Sequence, residues 1–516
     1  MATGLVRRPD SAGAPPAEQV HLQFGADAST QVSVSWAAPS AVARPRLQLG
    51  PAGLPASWQV EADERVCTDA LTGVTAFTYH ASVGSLEPGS RYAYQVLHDG
   101  SPPVPGTFST APRGRSAPFR FTSFGDQSVP APVGRGCGPH SPNAGYVVDA
   151  VDRLDPLFHL LNGDLCYANG SDAPVATWAS YFGNISRSAR HRPWMPAPGN
   201  HENEAGNGPY GYLSYQTRFL LPGNGTPAHR GQWYAFTAGP VRVVALNNDD
   251  VCLQDGGFSG IRRDSVPGYL ADGVDPYVRG YSGGLQRRWL ERELAAARRD
   301  EEIDWIVVVM HQPAVSSAHF NGADLGVRQN WLPLFDAYGV DVVLAGHEHH
   351  YERSHPVRGV APGSSLLTPA PAGRPVGRRH KPAEIDTRQG TVHLTIGGGG
   401  HPYSTPARRL HGPRQGIVIA GVERGNPLVQ RRSVIETEPA DWSAYREARA
   451  PYGFASFDVA PAEPGGTTSI TVTYWGASAG SADYRPRDRV VLRKPQRSAW
   501  LPGSDLAGSR PAPRGC

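Results

Sequence analysis

Three histidines fall within four positions in the stretch AGHEHHYERS (345–354), directly after the apolar run Asp341–Val342–Val343–Leu344. Four other apolar runs also end on metal-type donors. FRFTSFGD delivers Asp126, LFHLLNGDLCY delivers Asp164 and Tyr167, WMPAPGNHE delivers Asn200, His201 and Glu202, and IVVVMH delivers His311. Carboxylates and a phenolate are hard, anionic oxygen donors suited to Fe³⁺, whereas imidazoles and an amide oxygen suit Zn²⁺, Fe²⁺ or Mn²⁺. Two such ions about 3.5–4 Å apart can clamp the attacking and leaving oxygens of an in-line displacement and acidify a water molecule. A trivalent member of the pair lowers the pKa of that water further, so the chemistry expected is hydrolysis in acid. Each motif alone is weak, because a single strand-end Asp is commonly a turn residue or helix cap. Five such strand ends in order carry the inference.

The donors are spaced by one strand–helix unit. The intervals are 38 residues (164 minus 126), 36 (200 minus 164) and 36 (347 minus 311), each about the ~30 or more residues of one crossover. The strands FRFTSFG, LFHLLNG, VRVVALNN, IDWIVVVM and VDVVLAG are apolar throughout, which predicts burial on both faces in an α/β arrangement. GLQRRWLERELAAARRD (284–300) places Leu285, Trp289, Leu290 and Leu294 on one helical face. In such sheets ligands sit outside the carboxyl ends of neighbouring strands, so the donors can converge. If 346–350 is extended, His347 and His349 project to one side and Glu348 to the other. Residues 357–384 and 401–450, rich in Pro, Gly and Arg, are expected to be long loops, and strand pattern returns at 391–400 and 453–476. IGGGGH (396–401) lacks the context of a phosphate-binding loop and indicates close backbone packing.

Ahead of this lies a different texture. VHLQFG, QVSVSWAA, RLQLG, SWQVEA, FTYHASVGSL, RYAYQVLHDG and PGTFST are short alternating runs between turn residues, predicting a small antiparallel β-sandwich. The organisation expected is a tail over 1–18, the sandwich over 19–112, a linker over 113–118, a catalytic domain over 119–495 and a tail over 496–516. A net charge of +3 over 516 residues, without a single-sign block, gives no footprint for nucleic acid. No apolar run approaches the ~18 residues of a membrane helix, and residues 1–19 lack the apolar segment of a signal peptide. The five cysteines have no C-x-x-C spacing, so one or two disulfides could form, with at least one thiol left over.

The series GD…GDxxY…GNHE…VxxH…GHxH, followed by YERS, resembles the purple acid phosphatases of the metallophosphoesterase superfamily, and the resemblance covers roughly 20–490. It implies a fibronectin type III-like sandwich followed by an α/β four-layer domain, in which two mixed sheets are flanked by helices. It implies that Asp126, Asp164, Tyr167 and His349 hold a ferric ion. Asp164 would also bridge to a divalent ion (Zn, Fe or Mn) held by Asn200, His311 and His347, leaving His350 without an ion. It makes His201 and His319 the groups that contact phosphate and leaving group, with Glu202 as a further substrate-binding residue. The expected activity is that of an acid phosphatase acting on small phosphomonoesters through a hydroxide generated at the metal pair, in a protein secreted or held at the cell envelope. Two alternatives share these residues: a phosphodiesterase or nucleotide hydrolase with the same centre, and a surface-binding protein whose metal site is structural. One departure stands out. The first motif reads GDQS, with Ser128 where the family pattern has a glycine able to adopt positive φ.

Overall fold

The computed structural model describes residues 13–496 apart from 71, 136–137, 205–210, 255–278, 319–320, 374–381, 403–414, 424–431 and 464. The N-terminal part is an all-antiparallel sandwich of two four-stranded sheets. One sheet pairs Glu18–Phe24, Val32–Ala38, Thr75–Val83 and Asp63–Thr68 in that order; the other pairs Trp58–Glu61, Arg46–Pro51, Arg91–Leu97 and Val104–Ser109. Alternation sets its core: along Arg91–Leu97, Tyr92, Tyr94 and Val96 are buried while the residues between them are not. The strand Asp63–Thr68 adds an eighth to the seven apolar runs. Its sequence, DERVCT, buries only Cys67, so no alternating pattern announces it.

Two seven-stranded mixed sheets form the rest. The first runs Trp194–Ala197, Phe158–Asn162, Phe119–Phe124, Tyr452–Ala460, Thr467–Ala477, Arg485–Pro495, Ala383–Asp386; the second runs Tyr234–Ala238, Val241–Ala245, Trp305–Val309, Val342–Ala345, Val392–Ile396, Tyr351–Ser354, Ser443–Arg446. Their apolar strands serve two layers at once. Trp305, Val307, Val309, Val342 and Leu344 face the core shared with Phe121, Leu160 and Phe457, whereas Ile306, Val308 and Val343 pack against Trp289, Leu290, Leu294, Trp331 and Phe335 of the outer helices. Those helices, Leu285–Arg299 and Leu325–Tyr338, cover the second sheet; Asn143–Arg153 packs on the first through Tyr452–Ala460, and Pro174–Ala189 packs between that helix and the sandwich strand Glu18–Phe24. The expected two-sheet, four-layer α/β architecture is present.

The expected long loops are not all loops. Strands occupy Val357–Val360, Pro369–Pro371, Ala383–Asp386, Gln415–Glu423, Arg432–Pro439 and Ser443–Arg446. Part of this region is fixed by charge rather than by apolar period: Arg328, 1% exposed, donates to both oxygens of Glu438 at 2.7 and 2.6 Å, tying the hairpin Gln415–Pro439 to the helix Leu325–Tyr338. A sequence pattern cannot display a partner 110 residues away.

The sandwich is joined tightly to the α/β domain. The Arg115 guanidinium in the expected linker donates to Asp304 at 3.0 and 2.8 Å. His80 Nε2 donates to the Thr217 carbonyl at 2.9 Å, Arg65 donates to Gln216 O at 2.8 Å, and the His21 ring lies 4.3 Å from that of Phe182. Of the expected tails, 1–12 and 497–516 lie outside the described residues. Among the described residues, no helix is long and apolar enough to cross a membrane.

Candidate metal centre

Each expected ligand sits in the turn that follows a strand of one of the two large sheets. Asp126 follows Phe119–Phe124, Asp164 and Tyr167 follow Phe158–Asn162, and Asn200 follows Trp194–Ala197, all from the first sheet; His311 follows Trp305–Val309, and His347 and His349 follow Val342–Ala345, from the second. The turns are sharp. Asp126, Asp164, Tyr167 and His347 have φ of +60°, +54°, +59° and +71°, a left-handed conformation that costs roughly 1–2 kcal/mol for a residue with a Cβ and that clusters at functional sites. Ser128 adopts φ +67° despite lacking glycine's freedom, so the departure from the family motif leaves the turn in place. Close approach is required at two glycines: a Cβ on Gly199 would collide with Asp164 Oδ1, and one on Gly397 would collide with Glu348 O and lie 2.7 Å from Asp126 Oδ2.

The donors form two clusters. In the first, Tyr167 Oη is 3.2 Å from Asp126 Oδ1 and 3.4 Å from His349 Nε2, and the latter two atoms are 3.3 Å apart. In the second, His311 Nε2 is 3.0 Å from Asp164 Oδ2 and 3.1 Å from His347 Nδ1, and one ligand atom from each of the three residues lies within 4.8 Å of the others. Asn200 is buried nearby, with an Oδ1 that has no hydrogen-bond partner among the described residues.

Proton positions bear on whether cations fit. His311 Nδ1 faces the Asn162 carbonyl at 2.7 Å and His347 Nε2 faces Gln254 Oε1 at 2.9 Å. Both far-side nitrogens must therefore carry hydrogen, which leaves lone pairs on the two facing nitrogens beside a carboxylate. That arrangement needs a positive charge between them. Without a metal the proton supplies it: burial disfavours charge on His311, but Asp164 and Asp126 outweigh burial and hold its pKa at about 10. Burial likewise works against the Asp164 carboxylate, and His311 and His201 hold it well below the usual carboxylate range. Burial, with Asp126 and Asp164, pushes the Tyr167 phenol well up, so a phenolate there requires a neighbouring cation. The donor set fits two cations.

Glu348 points away from the cavity, although 346–350 is not extended. His347 has positive φ, and Glu348 N and His350 N close tight turns onto Gly346 O and Glu348 O at 2.8 and 2.7 Å. The buried Glu348 carboxylate accepts the N–H groups of Asn321 (3.0 Å) and Gly322. His350 is buried 3.6 Å from Glu352, away from the donors.

Glu202 has a place other than the expected substrate-binding one. It is fully buried and accepts the N–H groups of Asp164, Leu165 and Gly199 at 2.8, 2.8 and 2.7 Å. Burial and the Asp164 charge push its acid up to about 8, against the pull of the Leu165 and Gly199 N–H groups. His201 does line the cavity, its Nδ1 2.8 Å from Asn169 Oδ1 and its ring 4.4 Å from that of Tyr167; burial holds it below the ordinary imidazole range. His319 lies outside the described residues.

The cavity, about 660 Å³, is also lined by groups that no metal motif marks, among them His140, Asn321 and His401. The His401 ring lies 4.4 Å from Tyr167 and 4.3 Å from His349. The glycine run before it packs closely, as expected, and Gly399 N and His401 N bond to Gly125 O and Asp126 O at 2.9 Å. The signal for His401 was there: an apolar strand, glycine, then a donor, as at Asp126, Asp164, Asn200 and His347. No comparable signal marks His140. Cys67 and Cys166 are buried free thiols, Cys252 is buried, and Cys137 and Cys516 lie outside the described residues.

Comparison with known proteins agrees with this geometry. Residues 17–123 match the purple acid phosphatase N-terminal domain and residues 139–351 the calcineurin-like phosphoesterase domain. The chain is 50% identical over 493 residues to an uncharacterized protein of Mycobacterium tuberculosis, covering 94% of this chain and 88% of that one. It is 26% identical over 381 residues to purple acid phosphatase 21 of Arabidopsis thaliana, covering 71% and 68%. Among solved structures, a purple acid phosphatase from yellow lupin seeds superposes with a TM-score of 0.62 at 19% identity, covering 93% of this chain and 74% of that one, which extends the likeness to the fold. From its paired sheets to its strand-end donors, the chain belongs to the purple acid phosphatase family of calcineurin-like phosphoesterases and is a phosphoric-ester hydrolase.

Proposed function

We propose that the chain hydrolyses small phosphomonoesters in acid at a centre of Fe³⁺ and a divalent ion (Zn, Fe or Mn). The observation that carries this reading is the pair of donor clusters. The cluster with two anionic oxygens, Asp126 and Tyr167, together with His349, suits the ferric ion; the cluster of His311, His347 and the Asn200 Oδ1, unpartnered among the described residues, suits the divalent one. Asp164, whose Oδ2 lies 3.0 Å from His311 Nε2 and whose charge acts on Tyr167, would help to hold both ions. When bound, the ions would supply positive charge that acidifies water and screens the phosphoryl oxygens.

The chain's own residues do the rest. Glu202 sets the loops of Asp164 and Gly199 from behind. His201, which lines the cavity, offers hydrogen bonding to the phosphoryl or leaving oxygen. His319 keeps its expected leaving-group role on the strength of the family motif.

Elemental analysis, a visible spectrum and hydrolysis of an aryl phosphomonoester and the matching diester, at acid and neutral pH, test the reading together. Iron plus one divalent ion, a visible tyrosinate band abolished by Tyr167→Phe, and monoester cleavage favoured in acid are expected. A colourless, active protein with two divalent ions overturns the ferric assignment, and faster diester cleavage overturns the monoester one. No phosphate release with iron and zinc supplied overturns the proposal as a whole.

A further inference from the structure

Gln254 belongs to no motif, yet its side chain meets one of the expected ligands. The geometry points to Gln254 as a positioning residue for the divalent ion, acting through His347; this rests on the two-ion reading above. His347 presents Nδ1 to the second donor cluster, 3.1 Å from His311 Nε2, and its other nitrogen lies 2.9 Å from Gln254 Oε1. An amide oxygen only accepts, so Nε2 carries the hydrogen and the Nδ1 lone pair is left for the cation. Hydrogen bonds of this kind fix both the tautomer and the ring orientation of metal-binding histidines. At His311 the same task falls to a backbone carbonyl, Asn162 O at 2.7 Å. At His347 it falls to a side chain, which substitution can remove.

Gln254 is itself held by a buried anchor. Leu253 N and Gln254 N donate to Asp324 Oδ2 at 2.9 and 3.2 Å, and Asp324 also caps the helix Leu325–Tyr338 by accepting Gly326 N at 2.7 Å. Asp324 is fully buried, and a Cβ on Gly326 would collide with the Val251 carbonyl, so segment 251–254 is pressed against the helix start. The helix cap thus places the amide, and the amide sets the imidazole. Gln254 itself is 6% exposed and its Nε2 has no partner among the described residues, where the bond to His347 is the interaction that gives this buried amide a use.

The test is zinc affinity of the full-length protein, measured by chelator competition with iron bound and the visible band recorded alongside. Gln254→Met keeps the length and removes the acceptor; it should weaken zinc binding by about 10-fold while leaving the visible band unchanged. Gln254→Asn, which withdraws the amide by one methylene, should show the same loss, and Gln254→Glu, which restores an acceptor at full length, should recover the affinity. Zinc binding by both Gln254→Met and Gln254→Asn as tight as in the unsubstituted chain overturns the inference and leaves the two-ion reading standing. Failure of the unsubstituted chain to take up zinc, ferrous iron or manganese beside the ferric ion overturns both.

Discussion

The backbone N–H of Asp164 donates to Glu202 Oε2 at 2.8 Å, and the N–H of Leu165 donates to Oε1 of the same carboxylate at 2.8 Å. The residue expected to bridge two cations is therefore oriented by a neighbour that never reaches the cavity. Glu202→Gln turns an NH₂ group against donors. Leaving buried N–H donors unsatisfied costs about 1–3 kcal/mol, and we expect a loss of about 3 kcal/mol in urea unfolding together with reduced metal content. Unchanged stability would mean that the three N–H groups do not depend on the carboxylate.

Gly397→Ala tests the backbone cradle. Its Cβ would collide with Glu348 O and lie 2.7 Å from Asp126 Oδ2, and neither neighbour is the free end of a flexible chain. Overpacking of this kind costs about 1–3 kcal/mol, and displacement of Asp126 should lower iron content. Metal analysis and unfolding on one preparation measure both.

Ser128→Gly should stabilise. Ser128 holds φ +67° with a buried hydroxyl that has no partner among the described residues. Relief of left-handed strain, about 1–2 kcal/mol, exceeds the extra freedom glycine gives the unfolded chain, about 0.4–1 kcal/mol. A higher urea midpoint is expected at an unchanged denaturant slope, and a lower midpoint would refute the strain argument.

Acid should loosen the joint between sandwich and catalytic domain. Burial, and then Arg65, lower the pKa of His80 from 6.5 to about 3. Between those values the unfolded chain binds the proton and the folded chain does not, so stability falls as pH drops below 6.5, by up to about 1.4 kcal/mol per pH unit. His80→Gln, which keeps a donor for Thr217 O, should flatten the dependence of the melting temperature over pH 4–6.5. An unaltered slope would place the acid sensitivity elsewhere.

The catalytic half was legible because its chemistry is periodic. A strand apolar throughout and then a donor recur at Asp126, Asp164, Asn200, His311 and His347, with a glycine before each donor except His311, and the spacing tells of crossovers. Ser128 was the one local mismatch, and the turn formed around it. The hairpin Gln415–Pro439 and the strand Asp63–Thr68 escaped because a distant ion pair and a half-exposed edge decide them. Glu202 was misplaced for a related reason: one-dimensional order gives its neighbours in GNHE but not the three N–H groups that surround it. Gln254 and His140 lie outside every motif, and folding brings them to the site.

Asp126, Asp164, Tyr167 and Asn200 leave one sheet, and His311, His347 and His349 leave the other. Cations shared by the two groups would act as rivets across the seam between the layers, and ligands that bind only the folded state raise its stability by mass action. Occupancy would then govern mechanical unity as well as catalysis, so that stripping the ions should let the two halves melt apart before either has lost its own strands.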